Sequence, residues 1–172
     1  MWRAWWFFWL LPPPAISTAR PSPWTGACIS ASRRGAGVRI YQGVDLIEID
    51  RLRAAYDRQE AFGRDIYTEA ELAYCTARPD PYPHLAGRFA AKEACLKAFG
   101  VGMGGFGATG RFREIEIEST PSGKPVLQLH GSMEKMGRRL KIRQMTVSIS
   151  HADSFAVAMV ILMGEATAGE EE

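Results

Sequence analysis

Four side chains stand out in this sequence because their positions suggest chemistry as well as structure. Asp45 lies inside an apolar, β-branched run, where an unpaired acid is unfavourable to bury. Glu93 and Lys97 are four residues apart in the segment GRFAAKEACLKAFG, residues 87–100, and His151 follows another apolar run. Each also has an ordinary structural explanation, since an Asp can cap or bend a segment and a His can occupy a turn.

The two acids suggest a metal site. Carboxylates that converge in a partly buried place raise each other's pKa unless a cation lies between them. With Asp45 and Glu93 as ligands, and with no Cys or His pair at metal-binding spacing, Mg²⁺ is favoured over zinc. Mg²⁺ commonly takes its other ligands from water and phosphate, so the substrate is predicted to carry phosphate. Arg88, Lys97 and Lys124 would then complement the remaining phosphate charge.

The segment 87–100 is predicted to be the helix that positions Glu93 and Lys97, because its Ala, Lys, Glu and Leu content favours helix. A step of about 100° per residue places Glu93 and Lys97 on the edge between two apolar stripes, and Arg88 and Lys92 on the far side. Glu93 is expected to hold the ammonium group of Lys97 in place. The two stripes consist of Leu85, Phe89, Leu96 and Phe99, and of Ala90, Ala91, Ala94 and Ala98.

Upstream of this helix, residues 38–49 are predicted to form a strand that bulges or bends at Gly43, just before Asp45. Asp50 is expected to cap a helix at 51–58.

The remaining elements complete an α+β pattern. Thr68 and Glu71 form a capping box that opens a short helix, and Gly100 is predicted to end the central helix. This order predicts an antiparallel sheet with helices packed on one of its faces. The other predicted elements are strands at 112–118, 126–129, 145–150 and 154–163, and a helix at 132–140.

The composition favours one folded domain that does not bind nucleic acid in bulk. The 172 residues include 21 Lys and Arg against 19 Asp and Glu, and the net charge of +2 is too small for nucleic-acid affinity. Cys28, Cys75 and Cys95 are an odd number of cysteines without metal-type spacing. Reduced thiols in a cytoplasmic protein are therefore expected.

The two ends of the chain differ from the predicted domain at 38–164. Residues 1–37 contain an apolar run that is too short to span a bilayer and is stopped by three prolines. This segment is expected to be a disordered or untranslated extension, and a signal-type segment or a membrane anchor is the alternative. Residues 165–172 carry four Glu and are predicted to be an acidic tail.

Four motifs, in this order, resemble the small bacterial holo-acyl-carrier-protein synthases, which are 4'-phosphopantetheinyl transferases. They are GVDLIEIDR at 43–51, GRFAAKEA with its downstream lysine, SGKP at 122–125 and SISH at 148–151. The resemblance extends from Val38 to Met163 and implies the α+β fold of that family. It also implies transfer of 4'-phosphopantetheine from coenzyme A to a serine of apo acyl carrier protein, with release of 3',5'-ADP, in support of fatty acid biosynthesis.

The resemblance implies a role for each matched residue. Asp45 and Glu93 match the family's Mg²⁺ ligands, and Lys97 matches a lysine that acts on the phosphate or on proton transfer. The acceptor of the serine proton stays open between a carboxylate and hydroxide on the metal. The family works as a homotrimer with active sites at subunit boundaries. The other matches are three coenzyme A contacts and one residue of the helix that receives the carrier protein, namely Arg88, Lys124, His151 and Arg51.

The chain departs from the family pattern at two places. The metal-binding Asp of the family lies close to the N-terminus, so residues 1–37 are foreign to it, and Ala152 stands where a hydroxyl residue is common.

The alternative function is a non-catalytic module that binds coenzyme A or a carrier protein. The presence of both Asp45 and Glu93 favours the enzyme, because a binding module needs no buried metal pair.

Overall fold

The computed structural model of the chain describes residues 37–101 and 108–166. The expected N-terminal extension therefore lies outside the described residues except for Gly37, and so does the expected acidic tail beyond Ala166. In chain order the elements are β1 (Val38–Glu48), α1 (Ile49–Arg58), α2 (Glu60–Ile66), α3 (Glu69–Thr76), α4 (Tyr82–Ala98), α5 (Ala108–Arg113), β2 (Ile115–Ser119), β3 (Pro125–Leu129), α6 (Gly131–Arg139), β4 (Ile142–His151) and β5 (Phe155–Glu165).

Two antiparallel sheets organise these elements. Strands β1, β5 and β4 form a three-stranded sheet in that order, and β2 pairs with β3 separately. Because β1 and β5 pair along their whole length, Val38 lies opposite Glu165 and the two ends of the described chain are joined. The α+β class and the closing hairpin of β4 and β5 are confirmed. Among the described residues, no helix has both the length and the apolar character needed to cross a bilayer.

Helix α4 packs on one face of the three-stranded sheet, which we call the inner face. The closest approach is at Gly43 of β1, where a Cβ atom would lie 2.0 Å from the Ala94 carbonyl oxygen and 2.7 Å from the Ala98 nitrogen. Only glycine fits this contact. The predicted bulge at Gly43 is wrong, since β1 pairs with β5 through Gly43 and Asp45 in unbroken register. The glycine therefore serves the approach of the helix and does not bend the strand.

The opposite, outer face of this sheet is apolar and exposed along β1 and β5 in the single chain, whereas the outer-face positions of β4 include the exposed Thr146, Ser148 and Ser150. Side chains alternate along a strand, so β1 turns Asp45 inward and its apolar neighbours outward. The predicted packing of helices on one face of the sheet is confirmed, and the outer-face side chains of β1 and β5 remain largely exposed among the described residues. Its exposed large apolar side chains are Val38, Ile40, Val44, Leu46, Phe155, Val157 and Met159.

The predicted capping box at the start of α3 is present and has a second function. The Oγ1 atom of Thr68 accepts from the Glu71 N–H at 3.2 Å, and Oε2 of Glu71 accepts from the Thr68 N–H at 2.8 Å. Glu71 also pairs with Nζ of Lys92 at 2.7 Å, with both side chains buried. Lys92 further donates to the carbonyl oxygens of Phe112 and Ile115. From the side of the helix away from Glu93, Lys92 thus joins α4 to α3 and to the chain around β2.

Three local predictions need correction. Asp50 does not cap α1, since the N-cap is Glu48 without a side-chain hydrogen bond and Asp50 lies in the first turn. Phe112 belongs to α5 and not to the following strand, and β5 includes Glu165, which the sequence assigns to the tail. Gly100 follows α4 with a φ of +67°, as expected for a residue that ends a helix.

We predict that Gly43→Ala destabilises the fold by about 1–3 kcal/mol, the usual range for overpacking. The added methyl group would collide with the backbone of α4. Denaturant unfolding measures the difference in free energy. Gly137→Ala in α6 is the control, because its new Cβ would lie 3.4 Å from Leu129, an ordinary contact, and alanine is favoured in a helix. Wild-type stability of Gly43→Ala would contradict the close contact.

Candidate functional site

Asp45 lies on the inner face of β1, opposite α4, and is buried. Nζ of Lys97 donates to its Oδ1 atom at 2.8 Å and to the Val44 carbonyl oxygen at 3.1 Å. Burial raises the pKa of Asp45, while the hydrogen bond and the charge of Lys97 oppose that rise. The sequence predicts Glu93 as the partner that holds the Lys97 ammonium, but the hydrogen bond goes to Asp45.

Glu93 is the least satisfied polar side chain of this group. It is 1% exposed, and both of its carboxylate oxygens are buried without a hydrogen-bond partner. Burial raises its pKa to about 8, the charge of Asp45 adds to the rise, and the charge of Lys97 offsets part of it. A buried acceptor without a donor destabilises a folded protein. The position of Glu93 is therefore better explained by a ligand than by the fold.

The donor set fits a hard divalent cation. Asp45 and Glu93 present carboxylate oxygens, which are the ligands that Mg²⁺ and Ca²⁺ prefer. Within the described residues, no cluster of three His, Cys, Asp or Glu side chains is arranged to hold a metal. A cation at Asp45 and Glu93 would thus need further oxygens from water or from a substrate. That requirement suits Mg²⁺, which usually keeps several waters and binds substrate phosphates.

Arg88 forms the centre of a second group on the same helix. Its side chain is buried, with Nη2 donating to Oγ of Ser119 at 3.0 Å and Nη1 donating to the His84 carbonyl oxygen at 3.5 Å. The guanidinium lies 4.0 Å from the centre of the Tyr74 ring. Its Nε atom is buried and lacks a hydrogen-bond partner. Arg88 is thus a firmly held cation whose buried Nε–H has no acceptor in the fold.

His151, at the end of β4, reaches the second group through another histidine. Its ring packs edge to face against the ring of His84, with centroids 5.5 Å apart and planes at 80°. His84 lies four residues before Arg88 on α4, so the structure brings the predicted residues Arg88 and His151 to one place. Sequence reasoning missed His84, although its i, i+4 spacing from Arg88 was a usable signal.

Lys124 and Arg51 are both exposed. Lys124 is exposed in the turn between β2 and β3, next to Pro125, which pairs with Ser119. The turn therefore begins at the residue that accepts a hydrogen bond from Arg88. Arg51 is exposed on α1, as its outward-facing position in the sequence pattern predicts.

Helix α4 contributes to both groups, the first formed by Asp45, Glu93 and Lys97 and the second by His84, Arg88 and His151. Arg88 and Lys97 are nine residues apart, which corresponds to about 13 Å along a helix axis, and Glu93 lies between them. The side chain of Lys97 is 44% exposed, so the first group opens to solvent. At about 100° per residue, Arg88 and Lys97 also point to different sides of the helix.

Comparison with known proteins agrees with this geometry. A sequence profile of the 4'-phosphopantetheinyl transferase superfamily matches residues 42–160. The holo-[acyl-carrier-protein] synthase of Herpetosiphon aurantiacus is 45% identical over 126 residues, which cover 71% of this chain and 97% of that protein.

Two solved structures share the fold. The ACPS–CoA complex of Chronobacterium ammoniagenes has a TM-score of 0.65 at 29% identity, covering 73% of this chain and 98% of the other. The holo-(acyl-carrier-protein) synthase from Bacillus anthracis in complex with CoA (3',5'-ADP) has a TM-score of 0.59 at 33% identity, covering 74% and 99%. Fold, profile and identity lead to one conclusion: the chain belongs to the 4'-phosphopantetheinyl transferase superfamily, among the holo-acyl-carrier-protein synthases.

Proposed function

We propose that this enzyme transfers 4'-phosphopantetheine from coenzyme A to a serine of apo acyl carrier protein, uses Mg²⁺, releases 3',5'-ADP and serves fatty acid biosynthesis. The observation that carries the proposal is the buried Glu93 carboxylate beside Asp45, with no hydrogen-bond donor for either of its oxygens. A metal-dependent phosphoryl transfer would explain why this unfavourable arrangement of the Glu93 carboxylate is present.

The second group supports coenzyme A as the substrate. The similar structures from Chronobacterium ammoniagenes and Bacillus anthracis are complexes with CoA and with CoA (3',5'-ADP), respectively. In this chain, the unpartnered Nε of Arg88 would gain an acceptor from a phosphate oxygen, and such charge-assisted hydrogen bonds are strong. Lys124 and His151 would add contacts to the phosphates from the β2–β3 turn and from the end of β4.

The proposed chemistry asks mainly for positioning and charge neutralisation. Asp45 and Glu93 would hold Mg²⁺ through their carboxylate oxygens. When bound, Mg²⁺ supplies neutralisation of charge on the diphosphate and on the leaving phosphate. Lys97 would orient the Asp45 carboxylate through its 2.8 Å hydrogen bond and place a positive charge next to the phosphates. Arg88 would fix the nucleotide end of coenzyme A.

The direct test incubates the chain with coenzyme A, Mg²⁺ and an apo acyl carrier protein and measures the mass of the carrier. A gain of one phosphopantetheine group, with 3',5'-ADP released in equal amount, is the expected result. If several apo carriers gain no mass, the transferase proposal is overturned. Retained binding of coenzyme A in that case would favour the non-catalytic module.

Asp45→Asn and Glu93→Gln should each reduce the transfer rate by about 10²-fold or more, the effect of removing one stabilising group from a polar transition state. Initial rates of 3',5'-ADP release measure this loss. Mg²⁺ should also raise the unfolding temperature of the wild-type chain but not of these variants, because a ligand of the native state stabilises it.

Glu118→Gln is the matched control for both readouts, since it neutralises an exposed carboxylate on β2. It should keep the wild-type rate and the wild-type response to Mg²⁺. A near wild-type rate in Asp45→Asn or Glu93→Gln would refute the metal assignment.

We further propose that the carrier protein docks on α1 through Arg51. The side chain is exposed, and a cation on this helix would steer an acidic partner during association.

Arg51→Glu should raise the carrier KM by about tenfold, equivalent to about 1.4 kcal/mol, and should make KM less sensitive to salt. The KM for coenzyme A should stay unchanged. Arg138→Glu on α6 makes the same change of charge at an exposed position on another helix and serves as control. Equal effects of the two substitutions would mean that net charge, and not docking at α1, sets the KM.

The outer face of the three-stranded sheet supports the proposed homotrimer. Val44 and Leu46 are 53% and 55% exposed, and they flank Asp45 in the same strand. An exposed apolar patch on a sheet face is typical of a protein interface. We propose that further copies of this chain cover it. Subunit boundaries would then lie next to the site, so one coenzyme A could contact two chains.

Ile40→Lys combined with Met159→Lys should convert the assembly to monomers, because both changes place charge on the outer face. Light scattering at several protein concentrations measures the mass. Gln128→Lys, at an exposed position on β3, should leave the assembly intact. A monomeric wild-type chain at all concentrations would refute the homotrimer.

We also propose a cytoplasmic location. Cys75 and Cys95 are both free and buried, which fits a reducing compartment. Burial raises the pKa of the Cys95 thiol to about 12, so this thiol is unreactive in the folded chain.

A further inference from the structure

Helix α4 holds His84 between two other rings, one turn before Arg88. The centroid of the Tyr74 ring lies 6.2 Å from that of His84, with the planes at 84°, and the ring of His151 packs on it at 5.5 Å. The carbonyl oxygen of His84 accepts a hydrogen bond from Arg88. His84 itself is half-buried. The function proposed above assigns no role to its imidazole.

The charges that surround this imidazole are mostly positive. Arg88 lies on the same helix, Arg78 follows α3, and His151 comes from β4, whereas Asp80 is the acid that opposes them from the loop before α4. Burial in the first place, and then these positive neighbours, lower the pKa of His84. The ring is therefore neutral near pH 7 when no anion is bound.

We propose that His84 is a further substrate-binding residue, which takes up a proton when a phosphate group of coenzyme A binds among His84, His151 and Arg88. This inference rests on the proposed binding of coenzyme A. A phosphate placed there reverses the local balance of charge, and an adjacent negative charge favours the protonated form of a histidine. The protonated ring has two N–H donors, so it can donate to the phosphate from either nitrogen.

A purely structural role for His84 predicts something different. In that case the ring only keeps Tyr74 and His151 in place, and a phenylalanine ring would do so equally well. His84→Phe therefore separates the two roles, since it preserves the edge-to-face packing and removes the titratable group.

The first test measures the affinity for coenzyme A by calorimetry from about pH 5.5 to about pH 8, the range in which histidines titrate. From low to high pH, the wild-type chain should lose up to about tenfold more affinity than His84→Phe, the ratio that corresponds to one pKa unit of coupling. Phosphate groups of the ligand titrate equally in both proteins, so their contribution cancels in this comparison.

His130→Phe is the matched control for this substitution. His130 is exposed and contacts Oε2 of Glu116 at 3.0 Å, in the neighbourhood of α6. Its replacement removes one histidine from the chain but none from the cluster around Arg88. The pH profile of His130→Phe should match that of the wild-type chain.

The second test follows the imidazole directly by NMR. The chain contains three histidines, so single variants assign each ring resonance. Saturating coenzyme A should raise the pKa of His84 in the intact protein. An unchanged pKa of His84 on binding, or identical pH profiles for the wild-type chain and His84→Phe, would overturn the inference.

A comparison with 3'-dephospho-coenzyme A identifies the phosphate concerned. If the difference between the wild-type chain and His84→Phe disappears with this ligand, the ribose 3'-phosphate is the partner of His84. If the difference persists, the diphosphate is the partner, and both results uphold the inference. Normal phosphopantetheine transfer with no effect of His84→Phe on the pH profile overturns this inference alone. Absence of coenzyme A binding in every protein overturns the proposed function as well.

Discussion

The contact between strand β1 and helix α4 at Gly43 determines how the rest of this structure is arranged. The strand backbone lies so close to the helix that no Cβ atom fits between them. Asp45 follows two residues later on the same face of the strand, and Glu93 precedes the contact residue Ala94 on the helix. The same close packing therefore holds the fold together and brings two acids from distant parts of the chain into one electrostatic environment.

Lys92 and Glu93 are neighbours in α4, and both are buried, but they differ in their hydrogen bonding. Lys92 is fully buried, yet its ammonium has the Glu71 carboxylate and two carbonyl oxygens as partners, so its charge is fully satisfied. Glu93 is equally buried and has no hydrogen-bond donor. Stability explains the first residue, because a buried ion pair with further hydrogen bonds is tolerated in a core. The fold gives the second no hydrogen-bond partner, and the proposed Mg²⁺ would supply one interaction for it.

Much of this fold could be predicted from local patterns in the sequence. The capping box of Thr68 and Glu71, the end of α4 at Gly100 and the closing hairpin all depend on neighbours in the chain, and the structure contains each of them. The reason for Gly43 could not be predicted in this way, because the helix that requires it lies about fifty residues further along. Helix α2 was also missed, since its sequence lacks a capping signal.

The candidate site was predictable for a different reason. Asp45, Glu93 and Lys97 draw attention because their residue types conflict with apolar surroundings, and that conflict is visible without a structure. The pairing of Lys97 with Asp45 was not visible, because a helical spacing of four residues favours Glu93 as its partner. The contact between His84 and His151 depends on the approach of β4 to α4, which no local pattern encodes.

Because side chains alternate along β1, the two faces of this strand have different surroundings. Asp45 faces the helix, while Val44 and Leu46 on either side face away from it. A slip of the β1–β5 pairing by a single residue would exchange these directions, burying aliphatic groups beneath α4 and turning the acid out to water. Any error in the alignment of this strand would thus displace Asp45 from the proposed metal site and alter the proposed self-association surface in one step.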